Sequence, residues 1–472
     1  MRRAKIVSTL GPAVSSPEMI RELVDAGMDV ARINRSHGSH EEHAQQIRWV
    51  RESAEATGRA VAVLVDLQGP KIRTARFSGG PITLAVGDPF TITIDEVDGT
   101  QERVGTTFKG LPGDVRPGDL LLIDDGKITL RALEVTPTDV RTEVVEGGVV
   151  SNNKGINLPG VAVSVPALSE KDEEDLRWAL REGADWIALS FVRDAKDIER
   201  CHEIMDEEGI RRPVIAKVEK PQAVANLGEI VAAFDGIMVA RGDLGVEMPL
   251  EEVPLVQKRA VELARREAKP VIVATQVLES MIENSRPTRA EASDCANAVL
   301  DGADAIMLSG ETSVGAWPIV AVRTMARIIA NTEDHGLARI RPLDSRPSTT
   351  GGAVTRAAAQ IGELLYAKYL LVFTTSGDSA RRMSRVRPPI PMIAFTQDPQ
   401  TRRRLALTWG ITTYDVPDID DIDELVSGVD DVLINQGRCA EGDVVVVVGG
   451  TSAGVSGTTN MLQVHRVGMA RD

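Results

Sequence analysis

The sequence predicts an α/β chain: a parallel (β/α)8 barrel interrupted by an inserted β-barrel unit and followed by a second α/β unit. Three observations predict it. Eight short apolar runs, KIVSTL, VARIN, VAVLVD, WIALSF, PVIAKVE, GIMVAR, PVIVATQ and AIMLSG, are continuous rather than alternating in polarity, as strands covered on both faces are. Helical stretches separate most of them, and a joint of Gly, a small or apolar residue, Asp and a strand recurs at Gly27, Gly183 and Gly302. Between about residues 70 and 165 the rhythm breaks into Gly- and Pro-rich, β-like sequence without a convincing helix.

Taken in order, Ser16 before Pro17 is an N-cap and first-turn pair, and Gly27 closes that helix. HGSHEEH sets His37, His40 and His43 at regular spacing, which suggests zinc. Ser39 with Glu42, however, forms a capping box that opens a helix, and offsets of three drift around its surface, so the capping reading prevails. The third strand ends at Asp66, and the insertion follows in GDPFTITIDEVDGT and RPGDLLLIDDGKITL, placed as a lid would be. Helical periodicity returns where Ser169 and Asp172 cap the helix containing Leu176 and Leu180. ARIRPLDSRPSTTGG, 338 to 352, reads as a linker, beyond which YLLVFTTSG and DVVVVVGG alternate with helical sequence. Residues 1–69 and 166–337 are thus expected to form a TIM-barrel unit, 70–165 the lid, and 338–472 a C-terminal α/β unit.

At 472 residues the chain is too long for one core, and a net charge of -15 argues against nucleic acid as its main partner. Cys201, Cys295 and Cys439 are odd in number and widely spaced, which fits a reducing compartment. MRRAKIVSTLGPAV starts like a signal peptide, but Lys5, Gly11 and Pro12 break it. No run reaches the roughly 18 apolar residues of a membrane span. The cytoplasm is the expected location, with no membrane partner.

Barrels of this type keep their chemistry at the carboxyl ends of the strands. Those ends carry Arg32, Asn34 and Ser36, then Asp66, Ser190, Lys217 and Glu219, Arg241 and Asp243, Thr275, and Ser309. Glu219 and Asp243 end neighbouring strands, so their carboxylates are placed to share a hard cation such as Mg2+ with an oxygen-rich substrate. Lys217 and Arg32 add the positive charge that stabilises a transferring phosphoryl group. Gly242 precedes a possible helix start, where free amides would seat a small carboxylate. The competing reading is a ring of rim salt bridges; convergence from several strand ends favours a site.

In chain order, VSTLGP, VARINRSHG, LVDLQGPKIRT, NNKGINLPG, IAKVEK, VARGDLGVE, ATQVLESMI, RPTRAEASD and MLSGETS resemble the pyruvate kinase family over nearly the full length. The resemblance implies a homotetramer that transfers phosphoryl from phosphoenolpyruvate to ADP, giving ATP and an enolpyruvate that is then protonated to pyruvate, with allosteric regulation through the C-terminal unit. It implies that Lys217 neutralises the phosphoryl group in flight and that Glu219 and Asp243 hold Mg2+ or Mn2+. The backbone around Arg241, Gly242 and Asp243 would hold the substrate carboxylate with a hydrogen bond from Thr275, and Thr275 with Ser309 and water would supply the proton. Arg32, Asn34, Arg73 and Lys154 match phosphate-handling positions of either substrate, and His37 lies where the nucleotide binds.

Two departures stand out. Potassium-dependent members read Asp-Thr-Lys-Gly-Pro-Glu where this chain has Asp66-Leu67-Gln68-Gly69-Pro70-Lys71. A fixed ammonium at Lys71, beside Asn34, Ser36, Asp66 and Leu67, is expected to make K+ dispensable; the competing reading leaves Lys71 solvated and K+ bound. The second departure lies in TTSGDS, which resembles the family's effector loop with Thr374, Thr375, Ser376, Gly377 and Ser379 as phosphate-gripping groups. Asp378 is repulsive there, and GGTSAGVSGTTN lacks the Arg-Pro-Gly-Ser stretch of enzymes activated by fructose bisphosphate. A sugar monophosphate or AMP is therefore the expected activator, served by Arg381, Arg382 and Arg385 unless these form a solvated helix face. Two alternatives compete with the kinase: a barrel that makes carbon-carbon bonds through enolate chemistry and a catalytically silent sensor of sugar phosphates.

Overall fold

The computed structural model describes residues 2–161, 163–344, 346–416, 422–450 and 459–468, without the side chains of 422–427. All eight expected runs form strands: Lys5–Thr9, Val30–Asn34, Ala62–Asp66, Trp186–Leu189, Val214–Val218, Gly236–Ala240, Val271–Ala274 and Ala305–Leu308. They close into a parallel barrel in chain order, with the first strand paired to the last. Alternate residues explain their unbroken apolar character. Val7, Val30, Leu64, Ile215, Met238 and Ile272 fill the lumen, while Ile6, Ile33, Val65, Ala216 and Val239 pack outward under the helices. Ala406 and Leu407 join the lumen cluster from the C-terminal unit, near the strand starts. The opposite end is thus left for chemistry.

The capping signals of the sequence are realised. Ser16 accepts a hydrogen bond from the Met19 amide, and reciprocal capping boxes form at Ser39 with Glu42 and at Ser169 with Asp172. Gly27, Gly183 and Gly302 all have positive φ, which a side chain would resist.

After Asp66 the chain enters a six-stranded sheet in the order Ile156–Asn157, Leu120–Ile123, Ile128–Val135, Asp139–Glu146, Pro89–Thr93, Arg103–Gly105. The entering segment ties its two edges together: Arg73 pairs with Gly155, and Thr74 with Thr106. A ribbon of Ile82–Leu84 with Gly148–Val150 adds to this unit, whose separate core includes Phe77, Phe90, Ile92, Leu121 and Leu130. Its one helical turn, Leu111–Asp114, starts at a Pro-bearing bend too short to show helical periodicity.

The C-terminal unit is a five-stranded sheet ordered Ile411–Asp415, Met392–Thr396, Tyr369–Phe373, Val444–Gly450, Thr459–Arg466, antiparallel only at the last strand. It meets the barrel through buried Arg387, which lies 3.1 Å from Asp304 and 4.8 Å over the Trp409 ring.

Candidate active site

Strand alternation delivers the charges. Ile215 faces the lumen, so Lys217 and then Glu219 emerge on the same side at the strand's carboxyl end. Leu64 places Asp66 likewise, and Arg32 sits beside it in register with Leu64. Asp66 Oδ2 lies 2.7 Å from both Arg32 Nε and Nη2, while its Oδ1 lies 3.4 Å from Lys217 Nζ. Lys217 also contacts Glu219 Oε1 at 2.8 Å, and Glu219 Oε2 accepts the Phe191 amide at 2.7 Å.

Burial alone would lower the Lys217 pKa, yet the carboxylates of Asp66 and Glu219 outweigh it and hold the ammonium above its ordinary range. Burial likewise opposes charge on Asp66, but Lys217 and Arg32 carry it below the usual carboxylate range. For Glu219, burial and the like charge of Asp243 push the carboxyl up against the pull of Lys217. Two hard oxygen donors that repel one another at the barrel mouth fit a divalent cation, which would relieve that repulsion.

The stretch Arg241–Glu247 forms a short helix directly after Gly236–Ala240 and carries Asp243 in its first turn. The Arg241 side chain has a separate use from the main-chain amides expected to seat a carboxylate. Its guanidinium does not face the site: it donates to the Thr275 carbonyl at 2.8 Å and the Gln276 carbonyl at 3.1 Å, and pairs with Asp294 at 2.7 Å. Those carbonyls belong to two non-glycine residues at φ 67 and 53, so Arg241 clamps a strained turn from behind. The turn aims Thr275 Oγ1 at the Gly242 amide, 2.7 Å away. Ser309 Oγ is buried and without a hydrogen-bond partner among the described residues, while its amide donates to Glu311 at 2.7 Å.

The nucleotide positions divide. Asn34 lies at the rim, its Oδ1 accepting the Ser36 amide, and His37 is exposed beside it. Arg73 and Lys154 belong to the inserted unit and are turned to its own groups, the Asn153 carbonyl at 3.0 Å and Asp124 at 2.9 Å. They are not brought to the barrel mouth in this arrangement. Lys71 lies beside the same rim. No ion pair joins it to Asp66, which Arg32 and Lys217 already engage; its side chain lies against Gly155, where an added Cβ would sit 3.1 Å from Lys71 Cε. The Leu67 carbonyl accepts Ser190 Oγ at 2.7 Å.

The three histidines do not converge. His40 pairs with Asp175 at 2.7 Å and stacks on Trp178, while His43 Nδ1 accepts from Arg35. Among the described residues no group of three or more His, Cys, Asp or Glu could hold a metal ion.

In the C-terminal unit, Thr374 Oγ1 accepts the Gly377 amide, Thr401 Oγ1 donates to the Thr375 carbonyl, and Ser379 Oγ meets Thr459 at 2.5 Å. Ser376 lends its carbonyl to Arg381, and Asp378 is paired with Arg382 at 2.6 Å, which tempers the repulsion expected there. Arg385 instead reaches the Arg266 carbonyl of the barrel unit. Residues 451–458 of GGTSAGVSGTTN lie outside the described residues.

Sequence reasoning placed Ser190 on the rim without a role and did not single out Thr9 or Glu247. Thr9 Oγ1 accepts from Arg32, Ser190 Oγ accepts from Lys217, and Glu247 binds Lys220 of the barrel and Asn157 of the inserted unit at 2.5 and 2.7 Å. Strand alternation was the available signal for the two hydroxyls; the Glu247 contacts depend on how the units meet.

Among the described residues no helix is long and apolar enough to cross a membrane. The family model described as pyruvate kinase, barrel domain, matches residues 1–322, and that described as pyruvate kinase, alpha/beta domain, matches 352–465. The chain is 58% identical to a pyruvate kinase of Corynebacterium efficiens over 99% of its own length and 98% of the relative's. It is 56% identical to one of Mycobacterium tuberculosis, covering 99% of each. A crystal structure of a pyruvate kinase from Cryptosporidium parvum superposes with a TM-score of 0.93 at 36% identity, covering 99% of this chain and 96% of that one. With the barrel and the C-terminal unit both matched and its charged residues gathered at the barrel mouth, the chain belongs to the pyruvate kinase family of phosphotransferases.

Proposed function

We propose that the protein transfers the phosphoryl group of phosphoenolpyruvate to ADP and then protonates the enolate to pyruvate. The observation that carries this reading is Lys217, charged and buried between Asp66 and Glu219, with Arg32 on the same carboxylate. Such a pair of fixed cations stabilises charge on a phosphoryl group between donor and acceptor oxygens. Glu219 and Asp243 would hold Mg2+ or Mn2+, which when bound supplies compensating charge for the phosphoryl oxygens. Gly242 and the neighbouring amides would take the substrate carboxylate once Thr275 Oγ1 turns from the Gly242 amide toward substrate. Thr275 and Ser309 stand on the face from which a water-borne proton would reach the enolate carbon.

Arg73 and Lys154 join this reading through closure of residues 70–165 over ADP, with Asn34 and His37 on the barrel side. Residues 1–69 and 166–337 supply the catalytic framework, and 338–472 a regulatory unit in which 374–379 receives a sugar monophosphate or AMP. Four copies assembling in the cytoplasm complete the family pattern.

Pyruvate formation from phosphoenolpyruvate, ADP and Mg2+, measured with and without K+, tests the reading. Turnover without K+ is expected, because Lys71 places a permanent charge where other members carry Glu. Turnover only with K+ overturns the Lys71 substitution and keeps the kinase, whereas no turnover in either buffer overturns the kinase itself in favour of enolate chemistry or a silent sensor.

A further inference from the structure

Each of the two cations at the barrel mouth is held by two unlike groups. One is a carboxylate. The other is a buried hydroxyl from a neighbouring strand, and the two hydroxyls are wired identically. Lys217 Nζ donates to Ser190 Oγ at 2.8 Å, and Ser190 Oγ donates its own proton to the Leu67 carbonyl at 2.7 Å. Arg32 Nη1 donates to Thr9 Oγ1 at 2.9 Å, and Thr9 Oγ1 donates to the Leu308 carbonyl at 2.8 Å. Ser190 and Thr9 are 1% and 3% exposed, so neither hydroxyl has water as an alternative partner.

A hydroxyl has one proton and two lone pairs. Because each proton is committed to a main-chain carbonyl, the hydroxyl can present only acceptor capacity to the cation. This fixes a direction without adding charge. A carboxylate fixes direction too, but it also neutralises the cation and competes with any anion that approaches. Asp66 already serves both cations, and Glu219 is claimed by a divalent cation in the phosphoryl-transfer reading, on which this inference rests. Ser190 is then the short contact left to aim Lys217 when substrate is bound.

We infer that Ser190 and Thr9 are positioning residues: neutral tethers that aim Lys217 and Arg32 at the transferring phosphoryl group while leaving their charge available to it.

The test compares Ser190→Ala, Ser190→Thr, Thr9→Val and Thr9→Ser in the full-length protein. Two steps are read separately: steady-state transfer from phosphoenolpyruvate to ADP, and exchange of pyruvate methyl protons with D2O. Ser190→Ala is expected to lower kcat for transfer by about 10- to 100-fold, the range that misplacing a reacting group costs. KM for phosphoenolpyruvate should change by less than about threefold and proton exchange should persist, since Asp66 still retains the ammonium. Restoring the hydroxyl in Ser190→Thr should recover transfer. Thr9→Val keeps the shape and removes the hydroxyl, so it should fall well below Thr9→Ser. Transfer within about threefold of wild type in Ser190→Ala overturns the inference, as does a parallel loss of transfer and exchange with a lowered Tm. If Ser190→Ala does not fold, the Thr9 pair decides: equal transfer by Val and Ser overturns the tether. Failure of the underlying kinase reading is distinguishable, because wild type itself would then not turn over.

Discussion

Lys217 keeps its proton, though largely withdrawn from solvent, because two carboxylates outweigh the cost of burial. Replacing it with an apolar side chain of similar length removes that charge from the phosphoryl path but leaves the Thr275 and Ser309 face in place. Lys217→Met is therefore expected to lose transfer by at least about 1,000-fold, comparable to removing a principal electrostatic donor, while pyruvate proton exchange survives. Single-turnover transfer and exchange measured on one preparation check this, and undiminished transfer removes Lys217 from its role. His43 offers a prediction about stability. Burial first, and then the Arg35 charge, lower its pKa to about 4, and its Nδ1 is occupied as an acceptor from Arg35. The folded chain thus refuses a proton that the unfolded chain accepts below about 6.5. Stability from this group is complete above pH 6.5 and declines as pH falls toward 4, by on the order of 2 kcal/mol. Urea midpoints at pH 7.5 and 4.5 should differ less for His43→Gln than for wild type.

At the scale of elements, the helix Glu170–Arg181 shows how a local signal acquires a distant use. Its capping box joins Ser169 to the Asp172 amide, and Asp172, fully buried, also accepts the Gly69 amide at 3.0 Å. The cap thereby holds the turn after Asp66 and Leu67. Gly69 itself has no room: an added Cβ at its φ of 75 would lie 2.7 Å from Ser190 Cβ. Ser169→Ala should cost about 1 kcal/mol, the usual loss of a cap. Asp172→Ala should cost about 2 to 3 kcal/mol, because it also strands a buried amide. Chemical denaturation of both variants checks the order, and equal losses would confine Asp172 to capping.

The same elements explain what could be read from sequence. The strands were legible because parallel strands covered on both faces are continuously apolar, and Lys217 and Glu219 were legible because alternation from Ile215 carries them to one rim. The side chain of Arg241 was not: its partner Asp294 is distant in sequence, and the strain it restrains at Thr275 and Gln276 leaves no compositional mark. The surroundings of Lys71 were hidden for a different reason. Its position in the chain was clear, but Arg32 and Lys217 reach Asp66 from other strands and Gly155 lies far along the chain, so these contacts arise only on folding.

Over the whole molecule, three units divide the labour. The barrel positions charge, the C-terminal unit docks beneath it through Arg387, Asp304 and Trp409, and the inserted unit is stabilised by apolar residues of its own. The path by which the chain enters and leaves the inserted unit has a consequence for its ancestry and for its engineering. The Ile156 amide donates to the Ile72 carbonyl at 2.9 Å, so the entering chain runs beside the last strand of the unit, about one strand spacing away. The insertion is a graft with a narrow stem, and removing it does not require the barrel to stretch. Replacing residues 73–155 with a short glycine turn should leave a chain that folds cooperatively and still exchanges pyruvate protons, but no longer phosphorylates ADP because Arg73 and Lys154 are gone. Calorimetry and the two half-reaction assays decide the point: a chain that cannot fold would mean that the graft has become part of its host.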